Sequence, residues 1–346
     1  MKRTQTGLAT PDLGPASRLR RALPAVLAAL ALVLAAGCGD DATGPGDTDR
    51  LSFEAAAASI TEADVASHVE ALAHDSARGR WSPSPELDRA AAWIADAFAS
   101  WGLRPGGDDG FYQVFEVSNL VKNRPGGAGP VRNVIGWIRG SDPALRDEAI
   151  VYTAHYDHLG WAVNEGQLDG TGDEIFNGAD DNASGTAGLL EIAQAFAAAT
   201  PPRRSVVFVA TAGEERGLLG AHHYALNPLF PLDRTVGNLN LDMIGRNDPN
   251  RVDLIHSAGS ALADSALAIA ARRPGIGLTP TDVVDGPLGG RSDHFAFQVR
   301  GVDALFFHTG LHEDYHTLQD EADRLDAAKA AAVARLAFWT GVSLVD

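Results

Sequence analysis

Runs that read as strands alternate with runs that read as helices along most of this chain, and that alternation limits what it can fold into. Residues 149–154 form a continuous apolar run, as in a strand buried inside a sheet. After it the chain reads as helix near 184–199, strand 205–210, helix near 218–226, strands 236–241 and 252–256, helix 261–272, strand 302–307 and a closing helix over 322–342. Upstream, Leu87, Ala91, Ile94, Phe98 and Trp101 recur at steps of four and three, the spacing of one buried helical face, and Gly102 ends it. Residues 112–117 and 131–138 read as further strands. The alternation predicts an α/β fold of three layers, a sheet with helices on both faces.

Five side chains of metal-ligating type punctuate these runs: His155, Asp181, Glu215, Asp242 and His316. His155, Glu215 and Asp242 come just after strands and the other two lie in loops bordering helices, which is where open α/β sheets collect ligands. Imidazole nitrogens and carboxylate oxygens suit zinc, and two tetrahedral sites sharing one carboxylate need about that many donors. Charge agrees with this, because three carboxylates and a bridging hydroxide would neutralise two divalent ions.

Each neighbourhood adds a detail. In AHYDH, Asp157 stands two positions after His155 and is expected to accept the other ring N–H of that histidine, provided the strand continues. The acidic turn NGADDNASG holds Asp181 where a carboxylate can bridge two metals, although aspartates before a helix also serve as caps. Adjacent Glu214 and Glu215 after a strand fit either a solvated loop or a metal site; in a metal site Glu215 would bind the ion and Glu214 would be the base that takes a proton from the attacking water. Asp242 interrupts a strand fit for burial, and an unpaired buried carboxylate is costly, so it calls for a cation.

Composition excludes some functions. A formal charge of −17 over 346 residues argues against a nucleic-acid partner, whose phosphates are held by clustered Lys and Arg. Arg18, Arg20 and Arg21 precede an apolar stretch over 22–36 that is short for a membrane span and built like the core of an export signal. It ends in LAAGC, where Cys38, the sole cysteine, looks like the lipidated residue of a bacterial lipoprotein. The expected organisation is a signal peptide over 1–37, a flexible tether over 38–58 whose residues 39–50 are rich in Gly, Asp and Thr, and one catalytic domain over 59–346. The protein would then be exported and anchored to the membrane of the cell envelope through Cys38. No second cysteine is present to form an intramolecular disulfide.

The strings AHYDHLG, NGADDNASG, AGEERGLLG, NLDMIGR and YHT resemble those of the di-zinc aminopeptidases and carboxypeptidases of metallopeptidase family twenty-eight. The likeness runs from about residue 87 to the C-terminal helix. It implies a mixed, eight-stranded sheet between helices, the zinc-dependent exopeptidase fold, with two zinc ions per chain and peptide substrates bearing a free N-terminus. Carried over by position, His155 and Asp242 hold one zinc, Glu215 and His316 the other, and Asp181 bridges them. Glu214 is then the general base, Asp157 orients His155, and Tyr315 helps stabilise the oxyanion. Two departures stand out: Leu318 follows Thr317 where many members have proline, and 110–151 is too short for the protease-associated insert of some relatives. Ser292, Asp293 and His294 also resemble a family motif, with His294 a spare ligand by chemistry. His222, His223, His308 and His312 read as structural. Rival readings are a single-zinc glutaminyl cyclase, a carboxypeptidase or dipeptidase on the same scaffold, and a non-catalytic receptor.

Overall fold

A computed structural model describes residues 50–118, 127–161 and 174–346. Its helices are α1 (Phe53–Ser59), α2 (Glu62–Leu72), α3 (Pro85–Ser100), α4 (Gly185–Ala198), α5 (Leu219–Leu226), α6 (Ala261–Arg272), α7 (His294–Gln298) and α8 (Ala327–Val345). The strands are β1 (Arg104–Pro105), β2 (Tyr112–Val117), β3 (Gly129–Ile138), β4 (Ala149–His155), β5 (Gly160–Trp161), β6 (Ile175–Phe176), β7 (Ser205–Thr211), β8 (Thr235–Leu241), β9 (Arg251–His256), β10 (Thr279–Val284) and β11 (Ala304–His308).

Nine of these strands build one mixed sheet in the order β1-β3-β7-β4-β8-β11-β9-β10, with β2 also on β3, while β5 and β6 pair separately. The expected count was eight. The extra strand arises because β1 and β2 share one edge: β1 meets Gly136 and Trp137, β2 meets residues 129–134, and β7 covers the other side of β3. The sheet is therefore eight positions wide.

Strand β4 sits in the middle with parallel neighbours, β7 on one side and β8 on the other. All seven of its residues are buried, which explains its uninterrupted apolar sequence. Alternate side chains serve two cores. Ile150, Tyr152 and Ala154 face the layer that includes α3, α4 and α8, and Ala149 and Val151 face the α5 and α7 side. Tyr152 stacks on Phe208 at 5.5 Å, and Phe196 meets Phe338 at 4.6 Å. Rings buried in this way stabilise the fold by about 3–5 kcal/mol each when judged by truncation to alanine. In going from β7 to β8 the chain crosses from one side of β4 to the other, so β4 marks the switch point where an open α/β sheet gathers its ligands.

Several boundaries differ from the sequence expectation. The tether expected over 38–58 is shorter at its C-terminal end: Ser52 caps α1, Phe53 packs edge-on against Phe196 and Phe338, and Leu51 hydrogen-bonds to Ala198 and Thr200. The signal segment, Cys38 and the rest of 1–49 lie outside the described residues. The closing helix divides into a short turn over Ala322–Arg324 and α8, which starts where Asp326 accepts the Lys329 N–H. Strand β10 was not foreseen. It is an edge strand with mostly exposed or half-buried residues, so its sequence lacks the apolar signal of the inner strands.

Candidate metal centre

Register puts the first two candidates side by side. Thr153 of β4 pairs with Asn240 of β8, so two residues further on His155 and Asp242 emerge together from neighbouring strand ends. His155 Nε2 lies 3.4 Å from Asp242 Oδ1 and 3.4 Å from Asp181 Oδ1. Asp181 arrives on the turn before α4, which several hydrogen bonds hold in place. Asp320 accepts the main-chain N–H groups of Asp180 and Asp181 at 2.9 and 3.0 Å. Asn182 accepts from Gly185 and Met243 N–H and donates to Leu241 O, while Ser184 donates to Asp180 O and accepts from Ile244 N–H. The Asp181 turn is thus stapled to the end of the strand that delivers Asp242. Gly178 opens it with φ 59°, and a Cβ there would sit 2.3 Å from Asp181 O.

The second oxygen of Asp181 faces another group. Its Oδ2 lies 3.0 Å from His316 Nε2, which is 3.4 Å from Glu215 Oε1. Two triplets of donors therefore share Asp181, one oxygen each. Zinc bonds of about 2.0–2.1 Å in a tetrahedron place ligand atoms about 3.3–3.4 Å apart, and the separations of His155 and His316 from their carboxylate partners run from 3.0 to 3.4 Å. The donors are nitrogen and carboxylate oxygen only, so the set fits zinc in chemistry as well as in size.

His158, to which the sequence pattern assigned no role, joins the second triplet from behind. Its Nδ1–H donates to Glu215 Oε1 at 3.0 Å and lies 3.8 Å from Asp181 Oδ2. His316 lies nearer the Asp181 oxygen and His158 nearer the Glu215 oxygen, so either ring can complete the second triplet. The signal was present, since His158 stands inside the AHYDHLG string.

The remaining residues surround this pair of triplets. Strand β4 ends at His155, so the alternation that would have aimed the Asp157 carboxylate at His155 stops there. His155 Nδ1 meets the main-chain oxygen of Asp157 at 3.2 Å, with the carboxylate at 3.8 Å. That carboxylate instead accepts the Glu214 N–H at 3.1 Å and the Ser82 hydroxyl at 3.2 Å. Glu214, Tyr315 and His316 line one cavity together with His155, Asp181 and Asp242. The Tyr315 ring stacks on that of His316 at 3.8 Å. Ser292 donates to Asp242 Oδ2 at 2.6 Å and accepts from Asn240, and His308 Nδ1 lies 2.9 Å from Asp242 O. His308 also lines the cavity. His294 is turned away: its Nε2 meets Gly289 O, and its ring stacks on Phe306. His312 Nε2 lies 3.3 Å from Asp180 Oδ2. Buried Arg80 donates to the main-chain oxygens of Leu72, Tyr156, Asn177 and Gly178, which ties the His155 loop to the Asp181 turn.

Electrostatics of the metal-free chain follow from crowding acids in a buried place. Burial raises Glu214 well above the usual carboxylate range, with Glu215 and Asp242 adding to the shift. Burial also lifts Asp157 to about 6, against the pull of His155. Glu215 runs the other way, because His316 and His158 outweigh burial and hold it well below its ordinary value. For His316, burial is overcome by Glu215 and Asp181, which raise it to about 10. Burial, followed by the surrounding acids, raises the Tyr315 phenol, which stays protonated and able to donate. The protonated His316 balances part of this negative charge, and bound cations would take over that balance.

The family model "Peptidase family M28" matches residues 133–340. The chain belongs to that family. Among relatives, it is 29% identical over 206 residues to aminopeptidase YwaD of Bacillus subtilis, an alignment covering 56% of this chain and 40% of that protein. The chain spans less than half the length of the relatives it matches in sequence. Among solved structures, a zinc aminopeptidase from Bacillus subtilis superposes with a TM-score of 0.67 at 18% identity, over 83% of this chain and 96% of that one. Glutaminyl cyclase from Bacteroides thetaiotaomicron superposes with a TM-score of 0.64 at 17% identity, over 85% and 99%. At such identities these two likenesses concern the fold alone.

Proposed function

We propose that this chain is an aminopeptidase with two zinc ions, hydrolysing peptide bonds next to a free N-terminus. His155 and Asp242 would hold one ion, Glu215 and His316 the other, and Asp181 both. One observation carries the reading: Asp181 turns Oδ1 toward His155 and Oδ2 toward His316, as a bridging carboxylate must. A single-zinc cyclase has no use for two complete triplets, so the same observation weighs against that rival.

Bound zinc supplies Lewis acidity and makes water easier to deprotonate at neutral pH. The chain's own residues do the rest. Glu214 faces the cavity without ligating, takes a proton from the attacking water and returns it to the departing amine. Its main-chain N–H is fixed by Asp157, so Asp157 positions the base as well as the His155 loop. Tyr315 donates its hydroxyl to the oxygen that gains charge as the carbonyl is attacked. Export and anchoring through a lipidated Cys38 complete the proposal and place the site in the cell envelope.

The test is Glu214→Gln. The variant is expected to keep two zincs per chain by metal analysis and to lose about 10²–10⁴-fold in kcat on an aminoacyl anilide. Full activity with zinc retained would remove the base assignment, and one zinc in the wild-type chain would remove the dinuclear centre. Labelling with a radioactive fatty acid, with Cys38→Ser as control, tests the anchor.

A further inference from the structure

Arginines packed around the metal centre are otherwise engaged. Arg80 is spent on four main-chain oxygens, Arg216 donates to Ser82, Gly127 and Ser118, and Arg246 and Arg324 both pair with Asp314. Arg291 differs. It is exposed, lines the cavity, and has no carboxylate within ion-pair distance among the described residues. Its neighbours on the wall include Leu288, Met243, Phe306 and Leu311, which are apolar.

Its place relative to the ligands is fixed by its own chain. The next residue, Ser292, bonds the Asp242 carboxylate at 2.6 Å, and Arg291 N–H closes a turn onto Leu288 O at 3.0 Å. Consecutive Cα atoms are about 3.8 Å apart, so the arginine stem starts one residue from a ligand contact. The C-terminal carboxylate of a dipeptide lies about 3.5 Å beyond the scissile bond along an extended peptide, and the side-chain carboxylate of an N-terminal Glu or Asp lies within a similar distance before it, both within a range an arginine side chain spans.

We propose that Arg291 is an anion subsite that selects substrates carrying a carboxylate one residue from the cleaved bond. This rests on the peptidase reading above. The planar guanidinium suits such a group because it can donate two parallel hydrogen bonds to it. Two sources of that carboxylate share the chemistry: the C-terminus of a dipeptide, and the side chain of an N-terminal Glu or Asp.

Zinc-loaded protein is assayed on two matched pairs, Leu-Gly against Leu-Gly amide and Glu-anilide against Gln-anilide. The wild type is expected to favour the charged member of one pair by about 10–100-fold in kcat/KM, through KM, as a charged hydrogen bond allows. The pair that shows it identifies the source. Arg291→Met brings that ratio to about one, Arg291→Lys keeps part of it, and zinc content reports that both variants fold. Calorimetric binding of the two Leu-Gly ligands and of free Glu and Gln to the Glu214→Gln protein, with and without Arg291→Met, reads the same preference without turnover. Activity with no charge preference in any pair overturns the Arg291 subsite alone. No hydrolysis of any substrate overturns the peptidase reading, and the binding ratios then still decide the subsite.

Discussion

The two donor triplets are built differently. On the first side, His155 and Asp242 come from the ends of adjacent parallel strands, and Ser292, Asn240 and His308 fasten Asp242 by its carboxylate, by Ser292 and by its main chain. On the second side, Glu215 and His316 come from loops. His316 sits at φ 58°, and 27% of its side chain is exposed, against 1% for His155. A ligand on a strand end inherits the rigidity of the sheet, whereas one on a loop depends on its local hydrogen bonds. The first half of the site is therefore the more preorganised, and any metal held by the second half is expected to exchange faster.

Asp181→Ala should have the largest effect, because it removes one ligand from each triplet. Metal analysis is expected to find at most one zinc, loosely held, and anilide hydrolysis is expected to fall to background. Two retained zincs would show that the triplets do not depend on a shared carboxylate and would break the comparison at its root.

Next in size is the contrast between His316→Ala and His155→Ala. Dialysed against a mild chelator, the His316 variant is expected to keep one firmly bound zinc, since the strand-built triplet is intact. The His155 variant is expected to lose both ions at lower chelator concentration. In the wild type, zinc should leave in two phases. A single phase, or the reverse order in the variants, would show that strand origin does not set the difference.

The strand-built half was also the more legible half in the sequence. Ala149 to His155 announces itself because a central parallel strand is apolar on both faces, and Asp242 stands out as a charge ending such a strand. Asp320 did not stand out. It lies four residues after His316 among other acids, and only the folded turn shows that it holds two N–H groups beside the bridge. His158 and His308 were hidden for the same reason, because contacts between residues 57 and 66 positions apart carry no sequence period. The expected approach of the Asp157 carboxylate to His155 is loose, at 3.8 Å, because β4 ends at His155, two residues before Asp157.

Acidity separates the metal-free from the loaded chain. Burial raises Asp157, Asp293 and Asp320 to about 6, so in the metal-free protein their ionisation works against folding. The penalty grows as pH climbs from about 4 to about 6, up to about 3 kcal/mol each by linkage. His316, raised to about 10, adds stability that is whole below about 6.5 and disappears as pH rises toward 10. Glu215 and Asp242, both lowered, add stability that is lost under strong acid. The metal-free chain is thus expected to melt highest near pH 5 and lower at pH 8. Zinc binding needs deprotonated ligands, so the zinc-dependent rise in Tm should be small at pH 5 and large at pH 8. A rise independent of pH would mean that these groups do not share the site with the metal.

The smallest expected effects test the supports of each half. Ser292→Ala deletes one hydrogen bond to Asp242, and His158→Phe deletes one to Glu215. Losses of this kind cost about 10–100-fold in metal affinity. The two supports are not equivalent, however. Asp242 retains its strand and the His308 contact to its main-chain oxygen when Ser292 goes, whereas Glu215 lies in a loop whose other polar neighbours are Asp181 and His316, the ligands it is meant to join. Ser292→Ala is therefore expected near the lower end of that range, acting on the tight zinc, and His158→Phe near the upper end, acting on the labile one. Competition titrations against a zinc-responsive dye measure both constants in one experiment. Equal losses would place the rigidity of the first half in its side-chain bonds rather than in the two parallel strands beneath them.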